Sequence, residues 1–406
     1  MLLTKYEKIT WALTVFLLSA ITIFENSSMF KYVFFFISLL IYFVQCQSRG
    51  KLSISLTLFH ISFGLFAIYS FVTVLWAVVP NDSFKMGITL LEIFICYSLL
   101  FEHYRTVSDY HYFTNALKWS GLIIAAYAFY YYGFETIIQT AFVQKTRLEN
   151  EFTNINSLGI ICSISSFIIF HDFLFKKSLE ISLLIPLAII VAATQSRKAL
   201  FLFISSLIIC LIAKYVPGIR NIKVALRLLV LVLMLVVLVY ELSKLDIFSG
   251  IVSRVDLLLN LFRKNSLSDG SSLIRKDLVE LGFYIWLSHP VFGIGIDNSH
   301  VKVFESLGHN YYLHNNYVEL LADGGLVAFL LYYFPYIYLF INTLKKYKNN
   351  IEVSSFIIVL IIVLLFLDYG LVSYYSKTQW IYLKFIFVIN KYHLENVSLD
   401  NKESSV

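Results

Sequence analysis

The stretch HNNYVELLADGGLVAFLLYYFPYIYLFINTL, His314 to Leu344, decides how this chain is built. From Gly325 to Leu344 it carries no Asp, Glu, Lys or Arg. A helix of about 20 such residues reaches about 30 Å, the thickness of a bilayer's hydrocarbon core. The part before it is polar, with His314, Asn315, Asn316, Glu319 and Asp323. The stretch is therefore a junction where a long polar segment enters a membrane helix. Helical periodicity starts at Asn315, with Val318, Leu321 and Gly325 on one face with His314. Three turns of a continuous helix would nearly eclipse His314 and Gly325. The Gly324-Gly325 pair marks either a break in that helix or a close helix contact.

Outward from this junction the chain reads as membrane almost throughout. Of 406 residues, 59% are hydrophobic and 14% charged, and the mean hydropathy is +0.75. A soluble domain of this length does not tolerate that mixture. The fold class is an all-α polytopic membrane protein. Twelve spans are expected, near 9–25, 29–46, 54–77, 84–101, 113–131, 157–175, 179–195, 199–215, 225–247, 325–344, 352–370 and 374–390. The first is read as a retained helix, because no small-residue cleavage site separates it from the second.

Basic residues set the orientation. Lys5, Lys8, Arg49, Lys51, Arg105, Lys176, Lys177, Lys214, Arg220, Lys223, Arg227, Lys345, Lys346, Lys348 and Lys391 all fall on one side of a twelve-span topology. That side is the cytoplasm, together with both termini. The chain then divides into residues 1–247, with nine helices; 248–324, an extracytoplasmic loop subdomain containing short helices; 325–390, with three helices; and 391–406, a cytoplasmic tail. A second outer loop runs over 132–156. The net charge of +6 reflects loop lysines and calls for no nucleic acid partner. Cys46, Cys96, Cys162 and Cys210 lie in or beside apolar runs without metal-type spacing, as buried apolar thiols do.

The exceptions to the charge rule carry information. Arg147, Arg197, Arg254, Arg263 and Arg275 fall on the outer side. Arg197, in TQSRKALFLF, stands at the mouth of two tightly connected helices. A guanidinium there either snorkels to the interface or clamps phosphate with its planar fork. Arg275 opens an amphipathic pattern. Ile274, Leu278, Leu281 and Ile285 recur at helical spacing, Asp269, Ser271 or Ser272 can cap its start, and Pro290 ends it. That helix is expected to lie along the outer leaflet, and Arg275 is either a phosphate ligand or a solvated charge beside Asp277. Gly293 and Gly295, in HPVFGIGIDNS, lack the strand and the GK[ST] of a nucleotide loop and read as a tight turn. His314 is either a structural histidine or a general base titrating near neutral pH. A zinc site built from His309, His314 and Glu319 lacks a secure ligand spacing. No GxSxG or other nucleophile motif accompanies the histidine.

These residues resemble the superfamily of O-antigen ligases and O-antigen or polysaccharide polymerases. Its signature is a His followed by Asn, Ser or Gln, then nine residues, a Gly, two residues and a Gly, Thr or Tyr. Here the positions are His314, Asn315 and Gly325, with Ala328 departing from the last. TQSRKAL resembles the family's membrane-edge arginine motif at Arg197. SSLIRKDLVELG followed by HPVFGIG resembles its outer-loop helix, with Arg275 on its arginine. RLENEFTNIN, Arg147 to Asn156, resembles an earlier outer loop. The likeness spans about 145 to 390, and the order and spacing of the motifs make it specific.

The resemblance implies a metal-independent glycosyltransferase without cofactor, in the bacterial cytoplasmic (inner) membrane. Its donor would be a glycan on undecaprenyl diphosphate and its acceptor another glycan. Transfer would invert the sugar and face the periplasm or cell exterior. Arg197 and Arg275 would bind the diphosphate and His314 would assist the acceptor hydroxyl. Asn315, Gly325, Arg147 and Asn156 would support the site. The partners implied are the lipid-linked donor, the acceptor, the bilayer and a chain-length regulator protein. A polymerase extends a growing O-antigen, capsular or exopolysaccharide chain, whereas a ligase moves the finished chain to lipid A core. A lipid-glycan flippase is the reading from a different class. The chain shows no internal repeat, and its polar residues gather at one membrane edge, which favours surface chemistry.

Overall fold

The computed structural model describes residues 5–24, 30–49, 56–100, 107–143, 147–149, 153–215 and 270–403. The expected span at 225–247, Arg254, Arg263 and Asp269 lie outside these residues. Among the described residues the chain is helical, without strands. Its helices are α1 (Lys5–Ile23), α2 (Phe30–Arg49), α3 (Leu58–Val72), α4 (Pro80–Leu99), α5 (Val107–Tyr132), α6 (Phe134–Phe142), α7 (Ile155–Lys176), α8 (Leu184–Thr194), α9 (Arg197–Tyr215), α10 (Gly270–Ser288), α11 (Ser299–Leu307), α12 (Asn316–Lys345), α13 (Ile351–Asp368) and α14 (Lys377–Glu403). Each of the other eleven expected spans falls on one of these helices. Five helices among the described residues are long and apolar enough to cross a membrane, or six if the bent α5–α6 pair is one span.

That bend was not expected. Residues 132–156 read as a plain loop, but α6 leaves α5 at 101°. Gly133, at φ 82, makes the turn where a side chain would be strained. Ile137, Thr140 and Ala141 form the buried face of α6.

The chain forms two compact units that interleave in sequence. The first comprises Met1–Phe34, Ser108–Ser266 and Ile351–Val359. Its core joins Ile124, Ala128, Ile137, Leu148, Ile155, Cys162, Ile190 and Ala199. Helix α7 packs closely on α9 because position 159 is glycine. A Cβ there would stand 2.6 Å from Ala199 Cβ and 2.9 Å from Thr194 Oγ1. At the far end of α7, Lys176 Nζ lies 2.6 Å from Asp172 and 3.8 Å from Glu352.

The second unit comprises Phe35–Val107, Leu267–Asn350 and Leu360–Val406. Its interior is aromatic. Phe63 meets Tyr332 edge-on at 5.7 Å and Trp380 at 4.5 Å, and Phe59 meets Trp380 at 6.0 Å. Such edge-to-face pairs suit ring quadrupoles and fix α3, α12 and α14 against one another. A smaller cluster joins α10 and α11 to the start of α12 through Leu278, Ile285, Ile294, Val303, Leu313, Val318 and Ala322. Leu278 and Ile285 are buried as their spacing predicts, but Ile274 is 44% exposed. Helix α10 commits Leu278 and Ile285 to this cluster, whereas Ile274 and Arg275 are exposed.

Candidate functional site

Helix α12 is not continuous. Gly325, at φ 65 and ψ −164, has a backbone conformation outside the helical region. The break leaves a short arm from Asn316 to Gly324 and a long arm from Leu326 to Lys345. Asn316 Nδ2 donates to Tyr333 Oη at 2.7 Å, and the Tyr317 and Tyr333 rings stack at 4.8 Å. A straight helix would hold residues 316 and 333 about 25 Å apart. The two arms therefore fold back on each other, and His314 and Gly325 do not lie on one helical face.

A break frees carbonyls on one side and amides on the other, and buried backbone groups need partners. The segment from Pro290 to Gly295 supplies both. Ile294 and Gly295 amides donate to Ala322 and Asp323 carbonyls at 3.1 and 2.8 Å. Leu326 and Val327 amides donate to Pro290 and Val291 carbonyls at 2.9 and 3.2 Å. The turn expected at HPVFGIG thus bridges the broken helix. Tyr69 Oη adds a bond to the Gly324 carbonyl at 2.8 Å. A Cβ at 325 would fall 2.3 Å from the Val291 carbonyl oxygen, and one at 293 would fall 2.3 Å from the Asp323 carbonyl oxygen. The Gly324-Gly325 pair is both a break and a close contact. Ala328 fits here too: a Cβ on Gly324 would lie 2.3 Å from Ala328 Cβ, so position 328 faces backbone and is fully buried.

The short arm begins directly after the histidine. Asn315 is the N-cap of α12 (φ −148, ψ 112), and its side chain accepts the Val318 amide at 3.2 Å. His314, immediately before it, has φ 55, a left-handed conformation uncommon for a residue with a side chain. Its half-buried ring lies 4.0 Å, centroid to centroid, from the Tyr312 ring. Glu319, buried, accepts the Leu313 amide at 2.8 Å.

Arg275 sits on the exposed first part of α10, one turn before Leu278, which packs in the cluster that holds Leu313 and Val318. Burial, and then the Glu319 carboxylate, raise the Tyr312 phenol above its usual range, while the Arg275 guanidinium pulls it back. Arg275 is thus within electrostatic reach of Tyr312, the residue whose ring covers His314. Helices α10 and α12 approach closely at Gly282, where a Cβ would meet Val318 Cγ1 at 2.4 Å. The second unit therefore gathers Arg275, Tyr312, His314, Asn315 and Gly325.

Arg197, Asn156 and Arg147 belong to the first unit. Gln195 ends α8 in a left-handed conformation, φ 46, and Arg197 is the first residue of α9. Ser196 Oγ, beside it, donates to Asn156 Oδ1 at 2.8 Å, so Asn156 is tied to the turn that carries Arg197. Asn154 caps α7 by accepting the Asn156 amide at 2.9 Å. Arg147 is exposed, next to Leu148, which is buried in the same core as Ile155 and Ala199.

Several functional groups escaped the sequence reading. Asp323, fully buried, accepts the Asp297, Asn298 and Ser299 amides at 3.1, 3.3 and 2.6 Å and so starts α11. Asp297 is itself left-handed, φ 63. Burial pushes its carboxyl up to about 6, His300 opposes the rise and Asp82 adds to it. His300 Nε2 lies 3.6 Å from Asp82. Asn316 Oδ1 accepts the Ser373 and Tyr374 amides at 2.8 and 2.9 Å. Asp368 accepts from Tyr333 Oη at 2.9 Å, from Gln379 Nε2 at 2.6 Å and from the Ser373 hydroxyl. Apart from Ser373 and Gln379, five and eleven residues from Asp368, the hydrogen-bond partners of the Asp323 and Asp368 carboxylates and of Asn316 Oδ1 are more than 20 residues away, and no local spacing announces them.

The helices and this polar cluster define an all-α polytopic membrane protein. Residues 182–333, under half of the chain, match the family described as O-antigen ligase. The match is consistent with the superfamily of O-antigen ligases and polymerases. The match takes in Arg197, Arg275, His314, Asn315 and Gly325, while Arg147 and Asn156 precede it. The family implies a glycosyl-transferring enzyme in membrane O-antigen processing. No curated protein matches the chain.

Proposed function

We propose that this protein is an inverting polysaccharide polymerase that joins undecaprenyl-diphosphate-linked repeats into O-antigen, capsular or exopolysaccharide at the outer face of the inner membrane. The observation that carries the reading is that one unit holds Arg275 within electrostatic reach of Tyr312, whose ring lies 4.0 Å from the ring of the left-handed His314. In the reaction the acceptor oxygen attacks the anomeric carbon of the donor sugar. Its proton passes to the His314 imidazole, a side chain of the type most often used as a general base. The bond from the anomeric carbon to the diphosphate oxygen breaks, and its electron pair leaves with the lipid diphosphate. Arg275 stabilises that developing charge by charge-assisted hydrogen bonds. No metal enters this scheme. Arg197 belongs to the other unit and carries the same role on the strength of the resemblance alone, as Arg147 and Asn156 carry supporting roles.

The test is a glycan ladder from a deletion strain complemented with single variants. Loss of long chains, with single repeats still attached, supports the polymerase. Loss of every attached repeat while lipid-linked chains accumulate identifies a ligase instead. His314→Ala, Arg275→Ala and Arg197→Ala are each expected to reproduce the deletion while the protein still inserts. Normal chain lengths in His314→Ala sink the base assignment, and normal lengths in either arginine variant sink that arginine's role.

A further inference from the structure

We infer that Glu319 is a positioning residue for His314, a role that rests on the proposed function of that histidine. His314 has φ 55 and is followed by a cap residue in an extended conformation. A left-handed residue with a side chain is strained and persists only where neighbouring bonds over-determine it. Two such bonds flank His314. On its C-terminal side the Asn315 side chain accepts the Val318 amide at 3.2 Å. On its N-terminal side Glu319 Oε2 accepts the Leu313 amide at 2.8 Å. The carboxylate reaches back from the first turn of α12 over the residue that carries the imidazole.

Glu319 is 2% exposed, so its carboxylate is costly to bury for packing alone. An apolar side chain at this position would fill the space and avoid that cost. What the apolar side chain cannot do is accept the Leu313 amide. Leu313 is fully buried in the cluster with Leu278, Val318 and Ala322, so its amide has no bulk water to turn to. The same short arm carries Asp323 four residues on, whose carboxylate holds the 297–299 amides. One face of the arm therefore suspends two loops, and the loop held by Glu319 is the one that ends in His314. Glu319 contacts no reacting atom in this scheme. It sets where the imidazole points.

The test separates the acceptor oxygen from the charge and from folding. In the full-length protein, Glu319→Gln keeps an amide oxygen able to accept from Leu313, whereas Glu319→Leu removes it. Glycan ladders are expected to be near normal for E319Q. For E319L extension should slow by about 100-fold, the scale on which a misplacement of about 1 Å acts in catalysis. The second measurement is independent of activity. Purified protein is treated with diethyl pyrocarbonate, and the modification rate of each histidine is followed by mass spectrometry. E319L should change the His314 rate several-fold and leave His171 unchanged, while E319Q keeps the parental rate. If E319L does not accumulate in the membrane, Glu319→Asp, which withdraws the oxygen by one methylene, is read in the same way. An unchanged His314 rate in the variant that lacks the bond overturns the inference, as does equal loss of activity in E319Q and E319L. A fully active His314→Ala would overturn the proposed function instead, and the modification rates would still report whether Glu319 sets the histidine.

Discussion

Replacing Gly325 by alanine should be far more damaging than the same change at Gly308, and the structure supplies the size of the difference. Both glycines have positive φ, 65 and 72. At Gly308 a Cβ meets nothing within 4 Å, so alanine there costs only the left-handed conformation, about 1–2 kcal/mol. At Gly325 the ψ of −164 puts the residue where essentially only glycine is found, a strain of about 1–3 kcal/mol. The added Cβ would also lie 2.3 Å from the Val291 carbonyl oxygen and 2.5 Å from the Phe292 amide nitrogen. Both are backbone atoms and cannot swing aside, so the segment from Pro290 to Gly295 must retreat. Its four bonds across the break then weaken or open. At about 1 kcal/mol each they contribute up to about 4 kcal/mol. Gly325→Ala is therefore expected to lose up to about 7 kcal/mol and Gly308→Ala about 1–2 kcal/mol. The assay is thermal unfolding of the detergent-solubilised variants side by side, with glycan ladders from the same strains. Equal stability of the two variants would refute the account of the broken helix.

Two further outcomes follow from the same unit. Asn315→Ala should cost about 0.5–2 kcal/mol by removing the cap of α12, and Asn315→Ser should restore most of it; equal melting temperatures for all three proteins would remove the capping role. Asp297, with its carboxyl raised to about 6 from 3.8, keeps its proton in the folded state after the unfolded chain has lost it. Stability from this group is full below pH 4 and declines as the pH rises towards 6, by up to about 3 kcal/mol. Asp297→Asn should flatten that decline and raise the melting temperature at pH 7 relative to pH 4.5; an unchanged pH dependence would count against the buried carboxyl.

Much of this molecule is legible residue by residue. Apolar runs announce their helices because span length is a local property. The start of α12 near Asn315 is legible because helical periodicity is local. Gly324-Gly325 is visible as a special point. Whether it breaks the helix is not, because the outcome depends on whether a segment some 30 residues earlier can take up the freed amides and carbonyls. Ile274 fits the apolar period of α10 as well as Leu278 does, yet it is 44% exposed while Leu278 is buried against α12, because the period alone does not say which turns meet a neighbouring helix. The bend after Gly133 was hidden for a similar reason, since the buried face of α6 exists only against the rest of its unit.

Local patterning in the sequence marks the chain as membrane-crossing, places most of its helices, and picks out the histidine and arginines that stand out from that background. The tertiary structure alone decided that α12 folds back at Gly325, that Arg275 comes within reach of Tyr312 beside His314, and that Glu319 and Asp323 hang two loops from one short arm. The physical reason is range. Hydrophobic length, helical period and caps act over a few residues, whereas the partners of a broken helix and of buried carboxylates are chosen by contacts that only the folded chain brings together.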